Sequence, residues 1–246
     1  PTMVGLPLVL RSVAGLLMEK EVTMLSRVLA GTQRPATAVM GGTKVDDSIS
    51  VMANMLDHGI ADSVIVTGVV ANVFLVARGY DISEPSTQLI HKLEYVKEIE
   101  LARELLERHG EKILMPSWVA VRKDGDRAEF PVDAIPRDTP VMDLGVDSIE
   151  EMATRIRGSG TVIFNGPAGV FEEEAFALGT VERLNAAARV PCSVIGGGHT
   201  GAMVEKLGLG GKITHVSTGG GACIEFLTGK KLPAVAALEM SKKKFG

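Results

Sequence analysis

Cysteine, aromatic residues, basic excess and long apolar runs are all scarce in this chain, and each scarcity closes off a class of protein. Only two cysteines occur, Cys192 and Cys223, far apart and without the spacing of metal ligands. A disulfide scaffold and a cysteine metal cluster are thereby set aside, and two small buried thiols in a reducing, cytoplasmic compartment are expected. The formal net charge of −4 at pH 7 leaves no basic surplus to neutralise a phosphodiester backbone, so nucleic acid is not an expected partner. The longest apolar stretch, residues 64–77, is interrupted by Thr67, Gly68 and Asn72 and is too short to cross a bilayer, so no membrane partner or secretory segment is expected. Aromatics make up only 4% of the 246 residues. Val, Ile, Leu, Ala, Met and Gly dominate instead, as suits a parallel sheet buried beneath helices on both faces.

What the chain has in quantity is glycine, 28 residues, and it is clustered. Residues 194–201 read V-I-G-G-G-H-T-G: a short apolar strand runs into three glycines, and a helical stretch with Ala202, Met203 and Leu207 follows, ended by Gly208. Such a junction leaves backbone N–H groups unpaired at the positive end of a helix, and residues without Cβ let a phosphate approach them. Upstream, residues 12–30 place Val13, Leu16, Leu17, Val22, Leu25, Val28 and Leu29 near one helical face, with Ser12 as cap and Gly31 as stop. The eleven residues before that helix are too few for a domain and too apolar for a free terminus, as though they packed against something missing.

From residue 36 onward strand and helix alternate. Strands are expected over 36–40, 63–67, 112–115, 141–143, 161–164, 192–195 and 213–216. One helix carries Val45, Ile49, Met52 and Leu56 on one side and ends at Gly59; another runs from Gly68 to Gly79; a long charged helix covers 85–109. Asp124-Gly125 between two apolar runs signals a hairpin. The expected fold class is α/β, a three-layer Rossmann-like domain with a parallel sheet of about six strands flanked by helices, plus a small β-hairpin. Ligands in such a sheet bind at the carboxyl ends of the strands.

Those ends carry the unusual residues: Gly41-Gly42-Thr43-Lys44, then Gly68, then the loop from Asn165 to Glu172, then Gly196-Gly197-Gly198, then Ser217-Thr218-Gly219-Gly220-Gly221. A lysine at a glycine–helix junction is well placed to meet a phosphoryl group carrying negative charge. Gly196, Gly198 and Gly201 also fit G-x-G-x-x-G, but the dinucleotide fingerprint needs an acidic residue about twenty positions on, and residues 214–218 have none. A nicotinamide oxidoreductase is therefore disfavoured, and the absence of G-x-x-x-x-G-K-[ST] excludes a P-loop.

Taken in order, G-G-T-K-V-D-D-S-I at Gly41, F-N-G-P-A-G-V-F-E at Phe164, G-G-G-H-T at Gly196, H-V-S-T-G-G-G-A at His215 and E-F-L-T-G-K-K-L-P at Glu225 closely resemble the phosphoglycerate kinases. Members of that family have an N-terminal lobe that binds the phosphoglycerate through a basic cluster and a C-terminal lobe that binds Mg-nucleotide. This chain resembles the second lobe alone, so it is expected to be a fragment. Residues 1–31 would form the interdomain segment and helix, 32–232 the nucleotide-binding domain, and 233–246 the tail returning to the first lobe.

The resemblance implies ATP or ADP and Mg²⁺ as cofactors, 3-phosphoglycerate as a partner through the missing lobe, a monomer, and no activity for the piece alone. Lys44 matches the lysine that meets the transferring phosphoryl group, with the N–H groups of Gly197, Gly198, Gly220 and Gly221 as donors to the phosphates or to the group in flight. Gly41, Gly42 and Gly68 match positions where adenosine lies against bare backbone, Asn165, Gly166 and Pro167 the nucleotide-contacting loop, and Glu172 the ribose acceptor. Val170, Gly196, Thr200, Ser217, Thr218 and Gly219 complete the implied contacts.

Several departures stand out. His199 occupies the place of the usual Mg-holding aspartate, so the metal ligands are unknown; the imidazole is expected either to donate to a phosphate or to cap the helix. Ser48 replaces a second lysine, Val69 and Val70 follow Gly68 where glycines are usual, Phe164 replaces a tryptophan, and Ser117 and Trp118 follow Pro116 where the family has P-x-D. These departures fit a divergent, archaeal-type branch, or a weakened nucleotide site in a non-catalytic module. His215 is expected as a packed residue behind the glycines, and His58, His91 and His109 as solvated.

Overall fold

In the computed structural model of the chain, residues 2–30 and 33–246 are described. Two helices open it, α1 (Thr2–Val9) and α2 (Leu16–Ala30). The alternation then runs β1 (Ala36–Met40), α3 (Val45–Asp57), β2 (Ser63–Val66), α4 (Gly68–Ala77), α5 (Glu84–Lys92), α6 (Val96–His109) and β3 (Ile113–Leu114). Three strands interrupt it, β4 (Trp118–Lys123), β5 (Asp126–Pro131) and β6 (Val141–Leu144). It resumes with α7 (Val146–Arg157), β7 (Thr161–Asn165), α8 (Leu178–Ala187), β8 (Cys192–Gly196), α9 (Gly198–Lys206), β9 (His215–Val216), α10 (Gly221–Leu227) and α11 (Pro233–Phe245).

Six strands form a parallel sheet in the order β3-β2-β1-β7-β8-β9. The chain moves outward from β1 through β2 to β3, then returns to the other side of β1 with β7. The loops after β1 and β7 therefore part in opposite directions, and the crevice between them is where α/β sheets accept ligands. Register sharpens this: Met40 lies opposite Asn165, and Asn165 opposite Gly196. Three glycine loops thus leave the sheet at one level.

Strand residues alternate between two cores. Ala38, Met40, Val64, Val66, Ile163 and Val194 face a core shared with α3, α4, α6 and α10, to which α2 adds Leu25 and Val28. Val39, Ile65, Val162, Phe164 and Ile195 face the opposite one, shared with α7, α8 and α9. Burial on both faces explains why all five residues of β1 are buried, Thr37 included, its hydroxyl meeting those of Ser63 and Ser159. Truncating a fully buried residue such as Met52 or Phe74 to alanine should cost about 2–5 kcal/mol.

The structure departs from the sequence expectations in several places. β6 belongs to an antiparallel sheet ordered β5-β4-β6, so the hairpin grows to three strands; its pairing with β4 is non-local and leaves no local mark. The helix expected over 85–109 is two, broken where Glu94 takes φ +61°. Ile90 and Leu105 are both buried, and the break lets each helix turn its own stripe inward. Residues 2–9 are helical and pack along α11. Helix α2 starts at Leu16 rather than Ser12, because the Ser12 amide donates to Ser241 Oγ (2.9 Å) and its hydroxyl to the Leu10 carbonyl (3.2 Å). Of its expected apolar face only Leu25 and Val28 are buried; Leu16 is 85% exposed and Val13 80%. Gly31, the expected stop, lies outside the described residues. His109 is not free in solvent, since its Nε2 lies 2.7 Å from Asp57 Oδ1.

Candidate functional site

Five chain reversals build the site, and backbone hydrogen bonds fasten three of them directly. The Gly41 amide donates to the Asn165 carbonyl (2.8 Å), the Gly42 amide to the Pro167 carbonyl (2.9 Å), and the Val69 amide to the Gly42 carbonyl (3.1 Å). Such spacing leaves no room for side chains. Gly68 takes φ +61°, and a Cβ there would fall 2.8 Å from the Gly42 nitrogen, so glycine is required both for conformation and for approach. Gly166, at φ +86°, would drive a Cβ into the Gly41 carbonyl. The Thr200 hydroxyl, on α9, accepts from the Gly166 amide (3.2 Å) and joins the loop after β8 to the set.

Above this floor lie two adjoining cavities. The larger, about 530 Å³, is lined by Gly41, Gly42, Thr43 and Lys44, by Asn165, Gly166 and Pro167, by Gly197 to Thr200, and by Gly220 and Gly221. The smaller, about 250 Å³, is lined by Gly68, Val69, Val119, Met142, Val170 and Glu172 among others. Gly42, Thr43, Pro167 and His199 border both, so the two form one groove. The larger half presents glycine backbone, the N-terminus of α9 and the Lys44 side chain. The smaller is mostly apolar.

Lys44 immediately precedes α3, and its carbonyl accepts both the Ser48 amide (3.2 Å) and the Ser48 hydroxyl (2.7 Å). Ser48 is buried, so the residue standing in place of a second lysine supports the backbone of the first. His199 is the second residue of α9; no side chain caps that helix, and the imidazole ring lies 5.7 Å from the Phe171 ring. The capping alternative is thereby removed.

Four residues expected among the contacts do not line either cavity. Gly196 is buried at the end of β8. Ser217 and Thr218 instead grip Glu21 of α2: the Ser217 hydroxyl donates to Oε2 (2.8 Å), and the Thr218 amide and hydroxyl donate to Oε1 (2.8 and 2.9 Å). Gly219 turns its amide back to Ser217 Oγ (3.0 Å). His215 completes the cluster through Nε2, 2.9 Å from Glu21 Oε2, so it is packed behind the glycines. Burial would raise the Glu21 carboxyl, but hydrogen bonds from His215, Thr218 and Ser217 outweigh it and hold the group below the usual carboxylate range.

Sequence reasoning noted Asp46 as a carboxylate beside Lys44, and it lines the larger cavity with Asp47 and Glu225, but it passed over Lys230, which lines the same cavity from the α10–α11 connection. Only its neighbourhood in the G-K-K-L-P run marked it. Both cysteines are free, and burial pushes the Cys223 thiol up to about 11, so it is inert. Among the described residues no three His, Cys, Asp or Glu side chains are grouped to hold a metal ion. The donor set fits no protein cage for Mg²⁺, which favours oxygen ligands in octahedral array. Nor is any described helix long and apolar enough to cross a membrane.

A parallel sheet, helices on both faces and a glycine-walled groove at the switch point define a Rossmann-like α/β protein. The family model for phosphoglycerate kinase matches residues 1–230, and the chain belongs to that family. A phosphoglycerate kinase from Methanocorpusculum labreanum is 56% identical over 246 residues, which span 100% of this chain and 61% of that protein. One from Halobacterium salinarum is 49% identical over 240 residues, 97% of this chain and 60% of that protein. The crystal structure of phosphoglycerate kinase from Pyrococcus horikoshii OT3 superimposes with a TM-score of 0.91 at 38% identity, covering 100% of this chain and 62% of that one. The chain thus spans about three-fifths of the length of the relatives it matches.

Proposed function

We propose that this chain is the ATP- and ADP-binding lobe of a cytoplasmic, monomeric phosphoglycerate kinase, whose complete form moves a phosphoryl group between ATP and 3-phosphoglycerate. The observation that carries this reading is the continuous groove bordered by Gly42, Pro167 and His199, apolar at one end and lined by glycine amides and Lys44 at the other. Adenosine occupies the smaller half against Gly68 and Val69, with the ribose toward Glu172. The phosphates lie in the larger half along the amides of Gly197, Gly198, Gly220 and Gly221.

In this reading the chain's own groups hold the donor phosphates in line and neutralise charge, and no covalent intermediate is needed. The Lys44 ammonium meets the phosphoryl oxygens as they gain negative charge. The amides of Gly198 and Gly221 open α9 and α10, so the helices behind them hold their direction and they need little reorganisation during transfer. Mg²⁺, if carried with the nucleotide, would supply neutralisation of phosphate charge, and Asp46, Asp47 and Glu225 are the carboxylates that line this half.

The acceptor belongs to another lobe. Residues 1–31 and 233–246 serve as the connection to it, a role supported by the pairing of α1 with α11 and by the exposed Val13, Leu16 and Leu17 beside them. Calorimetric titration tests the reading: Mg-ADP should bind the chain, whereas ATP with 3-phosphoglycerate should yield no turnover. No heat with Mg-ADP, together with unchanged amide shifts at residues 196–201, would contradict it. A rival reading, a non-catalytic nucleotide module, draws on His199 and Ser48; it predicts binding that survives while phosphoryl transfer stays absent even when a basic N-terminal lobe is supplied.

A further inference from the structure

Arg183 is an arginine in an improbable place. It lies on α8 with 0% exposure, although a buried guanidinium is costly and such positions usually accept an apolar residue as well or better. Its partners show what it holds together. Nε donates to the Gly179 carbonyl one turn back (2.9 Å), Nη1 donates to the Thr67 hydroxyl (2.8 Å), and the guanidinium carbon lies 4.9 Å from the centroid of the Phe164 ring on β7. Nη2 has no hydrogen-bond partner. Asp143 is near enough to favour the charged form, yet burial still lowers the guanidinium to about 9.

Thr67 is equally diverted. It occupies the N-cap position of α4 in an extended conformation, where a threonine hydroxyl would ordinarily accept an amide of its own helix, yet it makes no such cap. Its oxygen accepts from Arg183 instead. That oxygen also lies close against the end of the next strand, since a Cβ on Gly41 would fall 2.5 Å from it. Arg183 therefore reaches from α8 and β7, beneath the carboxyl end of β1, to the end of β2. It underlies the point where the loops of the groove diverge.

We infer that Arg183 is a positioning residue for the nucleoside half of the groove, fixing the Thr67–Gly68 turn against Gly41 and Gly42 so that a purine nucleoside meets a floor at the right height. This rests on the nucleotide reading given above. The phosphate half depends on Gly197, Gly198 and Lys44, none of which Arg183 touches, so its influence is confined to one end of the ligand. A residue that only filled space would affect both ends alike.

The test uses the chain with Arg183→Met, Arg183→Lys and Thr67→Val, and the Met and Val double variant. Backbone amide exchange is followed at Gly42 and Val69, whose inter-loop bonds depend on the turn, and at Gly201, which bonds to Gly197 within its own loop. Affinities are measured for ADP and for tripolyphosphate, a probe of the phosphate half alone. R183M and T67V should each speed exchange at Gly42 and Val69 and weaken ADP about tenfold, the effect of one hydrogen bond to a charged group. Gly201 and tripolyphosphate should stay unchanged, the double variant should be no worse than either single, and R183K should recover part of the loss. Unchanged ADP affinity, a uniform rise in exchange over the sheet, or an equal loss of tripolyphosphate binding would overturn the inference. If R183M fails to fold, T67V decides by the same readouts. If the unaltered chain binds no ADP the nucleotide reading falls, and the exchange pattern still decides whether Arg183 sets the turn.

Discussion

At the scale of single residues, charge in this lobe is placed with unequal backing. Lys44 stands free at the rim of the cavity while its backbone is braced by Ser48. Its ammonium makes no ion pair among the described residues, although Asp46, Asp47 and Glu225 line the same cavity. Lys44→Ala should weaken Mg-ADP binding by roughly 30-fold, the loss of about 2 kcal/mol expected for one charge-assisted contact, while leaving the melting temperature nearly unchanged; calorimetry and thermal denaturation check both. Glu21 is the opposite case, wholly engaged by His215, Ser217 and Thr218. Its carboxyl is held below the ordinary value of 4.5, so the stability it confers is present above that value and lost as pH falls through the folded-state value. Glu21→Gln should lower stability at pH 7 by about 2 kcal/mol, and the gap between variant and parent should shrink on acidification below pH 4.5, measured by denaturant unfolding at several pH values.

At the scale of elements, the loops after β1, β2, β7 and β8 act as one plate because hydrogen bonds join them, while the loop after β9 is held by Glu21 of α2. Gly166 is where they are most tightly joined. Gly166→Ala adds a side chain at φ +86° against the Gly41 carbonyl, and should cost about 2–4 kcal/mol and abolish nucleotide binding, since neither loop can move aside without breaking the Gly41–Asn165 bond. Thermal denaturation and ADP titration check this. The α1–α11 pair is a separate element. Ser241 is its fastener, accepting from the Ser12 amide and donating to the Leu10 carbonyl (3.2 Å). Ser241→Ala should raise amide exchange over residues 2–12 by several-fold while leaving exchange in β1, β7 and β8 unaltered, because few contacts tie α1 to the sheet.

At the scale of the whole molecule, the parallel sheet was legible because strands covered on both faces read as short, mainly apolar runs between glycine turns. The convergence of Gly41, Asn165, Gly198 and Gly220 on one groove followed from that sheet alone. What escaped was decided by partners distant in sequence. β6 carries the same apolar signal as the parallel strands, and nothing local states that it pairs with β4. Glu21 lies 194 residues from His215, on the polar side of a helix whose polar residues look solvated. Arg183 sits in a helix where an arginine ordinarily faces water, and Ser217 and Thr218 follow a strand as phosphate-binding residues would, yet turn away toward α2. The exposed Val13 and Leu16 could not be told from core residues, because periodicity marks an apolar face without saying what covers it.

The central claim is that loops far apart in the chain present one phosphate-binding surface with Lys44 at its edge. The most direct measurement is an ADP titration followed by backbone amide chemical shifts. The account predicts saturable, concurrent shifts at Gly42, Lys44, Gly166, Gly198 and Gly220 with one dissociation constant, and none at Gly208 or Gly229. Shifts limited to one of those loops, or different constants for different loops, would contradict it.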